Sequence, residues 1–299
     1  MNQTKTLRMR ANAKINLTLD ITGKRPDGYH SLSMIMQSVS LFDRVTVSLQ
    51  ENCPPTENIQ IICNDPSVPC GAQNLAYKAA SAFFSASRIP NSGVLVAIEK
   101  KIPAQAGLAG GSADAAAVLF ALNHLLDEPL SRSELLSIGQ SVGADVPFCL
   151  TGGTQLAEGI GEILSPLPAM HPFPIVIVKP SFSSSTAEAY HAADSACLVH
   201  PSALAAVAAL RSGNLTALSA ALGNSFESVV APEQIAAIKQ DFIENGAVGS
   251  SMSGSGTAVF GLFDSPTAAE MCRRTFLQQY HDVFLVFPAH SGIEIEPIV

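Results

Sequence analysis

Short runs of β-branched and aliphatic residues alternate along the chain with longer stretches in which alanine and leucine recur every three or four positions. Residues 15–22 and 45–49 are rich in Ile, Val, Leu and Thr, and Ile59–Cys63 and Val94–Ile98 carry two more such runs; all four predict strands. Asn74–Ser87 is dense in good helix formers, and in Ala113–Leu126 the residues Leu119, Leu122, Leu125 and Leu126 recur at helical spacing, so both predict helices. Ser133–Val142 predicts a third helix, stopped by Gly143. Several strands followed by helices fit an α+β layer architecture better than strict βαβ alternation.

Thr151-Gly-Gly-Thr and the stretch holding Pro166, Pro168, Pro172 and Pro174 interrupt the pattern near its middle. A boundary between them divides the chain into residues 1–160 and 161–299, as a length of 299 residues also suggests. Beyond it, Ile175-Val-Ile-Val predicts a buried strand, Ala187–Ala193 and Pro201–Leu210 predict helices, and Ala258-Val-Phe-Gly-Leu-Phe predicts another strand. A helix at Pro266–Gln279 and a strand at Val283–Phe287 complete a second α+β unit.

The composition, 47% hydrophobic and 14% charged, can build a large core and excludes disorder as the main theme. Seventeen Lys and Arg against 25 Asp and Glu give a net charge of −8, so no global positive field is available for a nucleic-acid partner. An anionic ligand needs a local device instead, a helix N-terminus or one placed lysine. No apolar run approaches the roughly 18–20 residues of a membrane span, and Met1–Ala13 is polar and basic, so the chain reads as soluble and cytoplasmic with no membrane partner. The six cysteines are scattered and read as reduced thiols; Cys53, Cys63 and Cys70 form the one cluster that could hold zinc.

Candidate chemistry concentrates at Pro103-Ala-Gln-Ala-Gly-Leu-Ala-Gly-Gly-Ser-Ala-Asp, where a glycine-rich loop runs into a helix. Gly107, Gly110 and Gly111 let backbone N–H groups approach a phosphate, and the helix start adds its positive dipole end. Ser112 is placed either to cap that helix or to touch a phosphate or its metal. On these grounds alone the loop is equally readable as a tight strand-to-helix turn. It is neither a G-x-x-x-x-G-K-[ST] loop nor a G-x-G-x-x-G loop, and the chain lacks the H-R-D and D-F-G pair.

The segment Pro103-x-x-x-Gly107-Leu108-x-Gly110-Gly111-Ser112 resembles the central motif of the galactokinase, homoserine kinase, mevalonate kinase and phosphomevalonate kinase (GHMP) superfamily. Ala13-Lys14-Ile15-Asn16-Leu17, Gly23-Lys-Arg-Pro-Asp-Gly-Tyr-His30, Gly143-Ala-Asp-Val-Pro-Phe148 and Met252-Ser-Gly-Ser-Gly-Thr257 narrow the resemblance, across nearly the whole chain, to a branch acting on a cytidylylated methylerythritol. The resemblance implies a two-domain α+β GHMP architecture with a ribosomal-protein-like N-terminal domain and the active site in the cleft between domains. It implies transfer of the ATP γ-phosphoryl group to the 2-hydroxyl of that small molecule, in the methylerythritol phosphate route to isoprenoids. ATP would lie along Pro103, Ala104, Gln105, Ala106, Gly107, Leu108, Ala109, Gly110, Gly111, Ser112 and Ala113, with Asn74 and Lys100 toward its adenine end. A sister kinase of mevalonate or homoserine is the alternative, and a non-catalytic binding module a third reading.

The same resemblance assigns roles. Asp145, otherwise a turn or cap residue, becomes the general base that takes the proton of the acceptor hydroxyl. Lys14, otherwise an exposed strand residue, becomes its electrostatic partner, and Asn16, two positions on and on the same strand face, orients the hydroxyl. Tyr29 and His30 follow the Pro26-Asp-Gly28 turn and read the cytosine by stacking and polar contacts. Met252–Thr257 closes on the phosphates, whereas Asn224-Ser-Phe-Glu227 has no role derivable from sequence. Asp114 is explained by the helix dipole, with ribose or metal contact as alternatives. Relative to the family pattern the loop Ala104-Gln-Ala-Gly107-Leu-Ala109-Gly-Gly-Ser-Ala113-Asp114 carries Ala at two places and Asp at one where other members carry Gly, Ser or Asn, and the separate magnesium-binding Glu of several other members has no match; Mg²⁺ would be held mainly by ATP phosphates and water. Monomer and homodimer both remain open.

Overall fold

A computed structural model describes residues 5–50, 58–91 and 93–297. The chain opens with two long strands, β1 (Thr6–Lys24) and β2 (His30–Leu49), followed by β3 (Ile59–Cys63), α1 (Leu75–Ser87) and β4 (Val94–Glu99). Three helices come next, α2 (Gly110–Leu125), α3 (Arg132–Val142) and α4 (Val146–Thr151), then the hairpin β5 (Thr154–Gly159) and β6 (Ile163–Pro166). The remainder runs β7 (Ile175–Lys179), α5 (Thr186–Ala193), α6 (Ala203–Ser212), α7 (Leu215–Ala221), β8 (Gly223–Asn224), a 3₁₀ turn at Ser225–Ser228, and α8 (Pro232–Glu244). It ends with β9 (Gly249–Met252), β10 (Val259–Leu262), α9 (Pro266–Phe276), β11 (Asp282–Val286) and β12 (Ile293–Glu296).

Two sheets result, and the α+β expectation holds. The larger runs β12-β1-β2-β4-β3, with β5 pairing on β2, β6 on β5 and the short β8 on β1. The smaller is antiparallel, β11-β7-β10-β9. The chain ends on the sheet where it began, because β12 pairs with β1 through Arg8↔Glu296 to Ala11↔Ile293. Arg10 and Arg44 both bind Glu296 there, at 2.6 Å each.

Both long strands begin well before the apolar runs that predicted them. In β1, Leu7, Met9 and Ala11 are buried between half-exposed Arg8 and Arg10, the period of a strand covered on one face; from Ala11 to Leu19 both faces are covered. Lys14 and Asn16 therefore sit inside the molecule, on the strand face opposite Ala13 and Ile15. The helix α2 is buried almost all round, and its run of alanines lets α1, α4, β1 and β2 approach it together. Its first turn thereby becomes a fixed platform beneath the glycine loop.

Cys63, Cys70, Cys149, Cys197 and Cys272 are free thiols, and Cys53 lies outside the described residues. Among the described residues no helix is long and apolar enough to cross a membrane.

Candidate active site

A cleft of about 870 Å³ opens where the glycine loop, the middle of β1, the β9–β10 loop and the start of α5 converge. A second cleft of about 740 Å³ lies elsewhere, between α3 and the β5–β6 hairpin, and is lined by none of the residues given a catalytic or binding role above.

The loop before α2 is wound through left-handed backbone at Gln105 (φ 51°), Gly107 (φ 73°) and Ala109 (φ 59°). Two of these are not glycine, and such conformations persist only where the surroundings impose them. The imposing partner is the β9–β10 loop. The Ser253 hydroxyl donates to the Gly107 carbonyl at 2.9 Å, the Ala258 N–H donates to the Ala106 carbonyl at 3.0 Å, and a Cβ on Gly107 would sit 2.0 Å from the Ser253 carbonyl oxygen. No side chain caps α2, since Ala109 occupies the N-cap position. Ser112 is thus not the cap; it lines the cleft with Gly110 and Gly111, where the uncapped helix start faces open space suited to an anion.

Beside this loop, the Lys14 ammonium donates to Asn16 Oδ1 at 2.7 Å and lies 3.8 Å from Asp145 Oδ2. Asp145 occupies the N-cap position of α4, yet its carboxylate makes no capping hydrogen bond there. Asp145 is the turn residue the sequence also allowed, but its half-buried carboxylate lines the cleft beside the buried Lys14 and does not cap the helix. Asn16 Oδ1 also accepts from the Gly254 N–H at 2.9 Å, so it joins the ammonium to the β9–β10 loop.

Asn224 and Glu227, opaque in the sequence, hold that loop. The buried Asn224 amide donates to the carbonyls of Met252 and Gly254, both at 2.8 Å, and its oxygen accepts from Phe226 N–H at 2.9 Å. Glu227 Oε1 accepts from the Ser251 hydroxyl at 2.8 Å and the Met252 N–H at 2.7 Å. Ser255 meets Thr186 at 2.8 Å, which ties the loop tip to the start of α5.

Two further residues expected near ATP, Asn74 and Lys100, line the cleft and are also held by protein partners. Asn74 lines the cleft but caps α1, accepting from Ala76 N–H at 2.8 Å and donating to the Pro69 carbonyl at 2.7 Å. Lys100 points beneath the loop, where its ammonium is clamped by the buried carboxylates of Asp43 and, at 2.8 Å, Asp114. Burial would lower the Lys100 pKa, but the two carboxylates hold it above its ordinary value. Asp114 is also not the dipole partner expected at the surface of a first helical turn: it is 3% exposed, with Oδ1 unpartnered, and burial pushes its carboxyl well above the ordinary range against the pull of Lys100. Asp43, which the sequence did not single out, also accepts from the Lys101 and Ile102 N–H groups at 2.6 and 2.9 Å and so fixes the chain entering the glycine loop.

Tyr29 and His30 follow the β1–β2 turn, in which Gly28 takes φ 88° and Asp27 accepts from Tyr29 N–H at 3.1 Å, and neither is among the residues lining the cleft. The Tyr29 ring is 61% exposed. The His30 ring stacks on Tyr190 of α5, with centroids 4.8 Å apart, and Tyr190 itself forms a wall of the cleft. Tyr190 packs edge-on against Phe226 at 4.9 Å, and burial pushes its phenol up to about 12, which keeps it neutral. Sequence reading missed Tyr190, because nothing in its surrounding letters marks a residue whose partner lies 160 positions away in another sheet's hairpin.

Comparison with known proteins follows the same residues. The family models for the GHMP kinase N-terminal and C-terminal domains match residues 74–153 and 206–282. The chain is 44% identical over 280 residues to a Clostridium botulinum protein named 4-diphosphocytidyl-2-C-methyl-D-erythritol kinase, covering 93% of this chain and 98% of that one. It is 41% identical over 280 residues to the protein of that name from Clostridium kluyveri, with the same shares covered. A crystal structure of 4-(cytidine 5'-diphospho)-2C-methyl-D-erythritol kinase superimposes with TM-score 0.79 at 32% identity, over 95% of this chain and 99% of that one. A homoserine kinase from Cytophaga hutchinsonii superimposes with TM-score 0.76 at 19% identity, over 99% of both chains, and shares the fold.

Proposed function

The chain belongs to the GHMP kinases and, within them, to the 4-diphosphocytidyl-2-C-methyl-D-erythritol kinases; from that premise we propose that it transfers the γ-phosphoryl group of ATP to the 2-hydroxyl of 4-diphosphocytidyl-2-C-methyl-D-erythritol, yielding the 2-phosphate and ADP in the methylerythritol phosphate route to isoprenoids. The observation that carries the mechanism is the Lys14–Asp145 pair, 3.8 Å apart in the same cleft as an uncapped, glycine-rich helix start.

Phosphoryl transfer through a loose transition state is catalysed mainly by positioning and charge. Asp145 is the general base, since a carboxylate not engaged in capping is available to take the hydroxyl proton as the O–P bond forms. Lys14, too deeply buried to be a solvated surface cation, faces Asp145 and stabilises charge on the attacking oxygen or the moving phosphoryl group. Asn16 holds Lys14 and the β9–β10 loop in one arrangement. Backbone N–H groups of Gly110, Gly111 and Ser112 receive the phosphates. Mg²⁺ bound with ATP would neutralise phosphate charge, and Ser112 and Asp145, both lining the cleft, are side chains that would hold it alongside water and phosphate oxygens. On this reading Lys100 and Asn74 shape the adenine end without offering it free polar groups.

The cytidylyl handle would lie against Tyr190, with His30 stacked behind it and the exposed Tyr29 ring reaching in from the adjoining hairpin turn. We place the border between the loop-bearing and the closing domain near residue 160, with β12 crossing back. ³¹P and ¹³C NMR of the product tests the proposal: a phosphate ester on the 2-carbon supports it, and phosphate on another oxygen overturns it.

A further inference from the structure

Asp194 is a residue that neither the motifs nor the phosphoryl chemistry absorbs, yet it bridges the two parts of the nucleotide-reading wall. It follows the last residue of α5, and its N–H donates to the Tyr190 carbonyl at 3.2 Å, one helical turn back. Its carboxylate is divided between the two strands of the β1–β2 hairpin. Oδ2 accepts from the Lys24 ammonium at 2.6 Å, and Oδ1 meets His30 Nε2 at 2.8 Å. Lys24 and His30 are direct cross-strand partners, so one carboxylate grips the neck of the hairpin that carries Tyr29 at its tip. The two hydrogen bonds hold the Asp194 carboxyl below the usual range, Lys24 contributing first and His30 second.

The His30 ring is consequently fixed from one helix at two points. Tyr190 holds its plane by stacking with a 20° interplanar angle, and Asp194 holds its rotation through Nε2. A carboxylate only accepts, so Nε2 carries a proton, and in the neutral ring Nδ1 is the acceptor. Without Asp194, stacking alone leaves the imidazole free to flip about its bond to Cβ and leaves the hairpin neck with no partner on α5.

We propose that Asp194 is a positioning residue for the cytidylyl end of the substrate, locking the His30 ring and the Tyr29 turn onto the Tyr190 wall. The inference rests on the proposed function and extends it to a residue outside the motifs. An exposed surface ion pair by itself contributes little to stability, so a role in recognition separates cleanly from a role in folding.

The test is steady-state kinetics of the full chain and of Asp194→Ala, Asp194→Asn and Lys24→Met, varying 4-diphosphocytidyl-2-C-methyl-D-erythritol and ATP independently, alongside ¹⁵N–¹H correlation spectra of the His30 ring. Asp194→Ala is expected to raise KM for the cytidylylated acceptor roughly tenfold or more, leave KM for ATP within about twofold, and convert a fixed Nε2–H signature into an averaged one. Asp194→Asn, which keeps an acceptor for His30, should recover much of the loss, and Lys24→Met should lose less than Asp194→Ala. An unchanged acceptor KM, or equal rises in both KM values, overturns the inference while leaving the kinase reading intact; absence of turnover of this acceptor by the unmodified chain overturns both.

Discussion

Asn16 and Gly254, 238 positions apart, are joined by a 2.9 Å hydrogen bond from the Gly254 N–H to the Asn16 side-chain oxygen, the same atom that accepts from Lys14 at 2.7 Å. One oxygen thus fixes both the buried ammonium and the loop that closes on the phosphate cradle. The backbone N–H of Asn16 adds a third link, donating to the Ser253 hydroxyl at 3.2 Å, and Ser253 in turn donates to Gly107. The Lys14 ammonium and the glycine loop are therefore parts of one hydrogen-bonded body, the rigidity that the proposed positioning catalysis requires.

Asp145→Asn removes the proton acceptor while leaving the phosphate cradle intact. The expected outcome is a fall in kcat of about 10²–10⁴ with ATP affinity near normal. Turnover that stays at the unmodified level would remove Asp145 from the general-base role.

Gly107→Ala drives a Cβ against the Ser253 carbonyl, at 2.0 Å in the present backbone, in a residue at φ 73°. Neither backbone can yield without breaking the contact between the two loops. Destabilisation of about 1–3 kcal/mol and a raised KM for ATP are expected, read by thermal unfolding and initial rates. An alanine variant matching the parent in both would show that the two loops do not need this approach.

Tyr190→Ala and Tyr29→Ala separate the cleft wall from the exposed hairpin turn. If stacking on the pyrimidine is the contribution, each weakens the cytidylylated acceptor by about 1–3 kcal/mol. The half-buried Tyr190, which packs on both His30 and Phe226, should show the greater loss. Loss confined to ATP affinity in either variant contradicts this placement of the nucleotide handle.

Asp114 gives a pH signature. Its carboxyl is pushed from an ordinary 3.8 up to about 7, by burial first and against Lys100. The folded chain therefore binds more protons than the unfolded chain between those values. The sign follows: the contribution of this group is fully present below about pH 4 and is lost as pH rises through about 7. Asp114→Asn, neutral and still able to accept from Lys100, should gain stability relative to the parent as pH rises from about 4 to 8. Denaturant midpoints across that range check it, and a flat difference or one of opposite slope contradicts it.

Most helices were legible because their signals are local: Asn74 caps α1, and α9 starts at Pro266 as the letters predict. The long strands were cut short because Arg8 and Arg10 make the start of β1 look polar, although Leu7, Met9 and Ala11 alternate with them in strand period. Lys14, Asn16, Asp145 and the glycine loop were legible through their motifs, and the structure gathers all of them in one cleft. Lys100 lines that cleft as well, but its ion pairs were not legible, because its partners Asp43 and Asp114 lie 57 and 14 positions away and only the fold brings them together. Tyr190, Asp194, Asn224 and Glu227 act through partners in distant elements, so no spacing rule along the chain could have exposed them.

The measurement that tests the account most directly is ADP release from Mg-ATP with four acceptors in parallel: 4-diphosphocytidyl-2-C-methyl-D-erythritol, methylerythritol phosphate without the cytidylyl group, mevalonate and homoserine. Turnover of the first alone is the predicted result. Turnover of mevalonate or homoserine with none of the first would keep the fold and contradict the substrate, and no ADP from any acceptor would contradict the kinase chemistry itself.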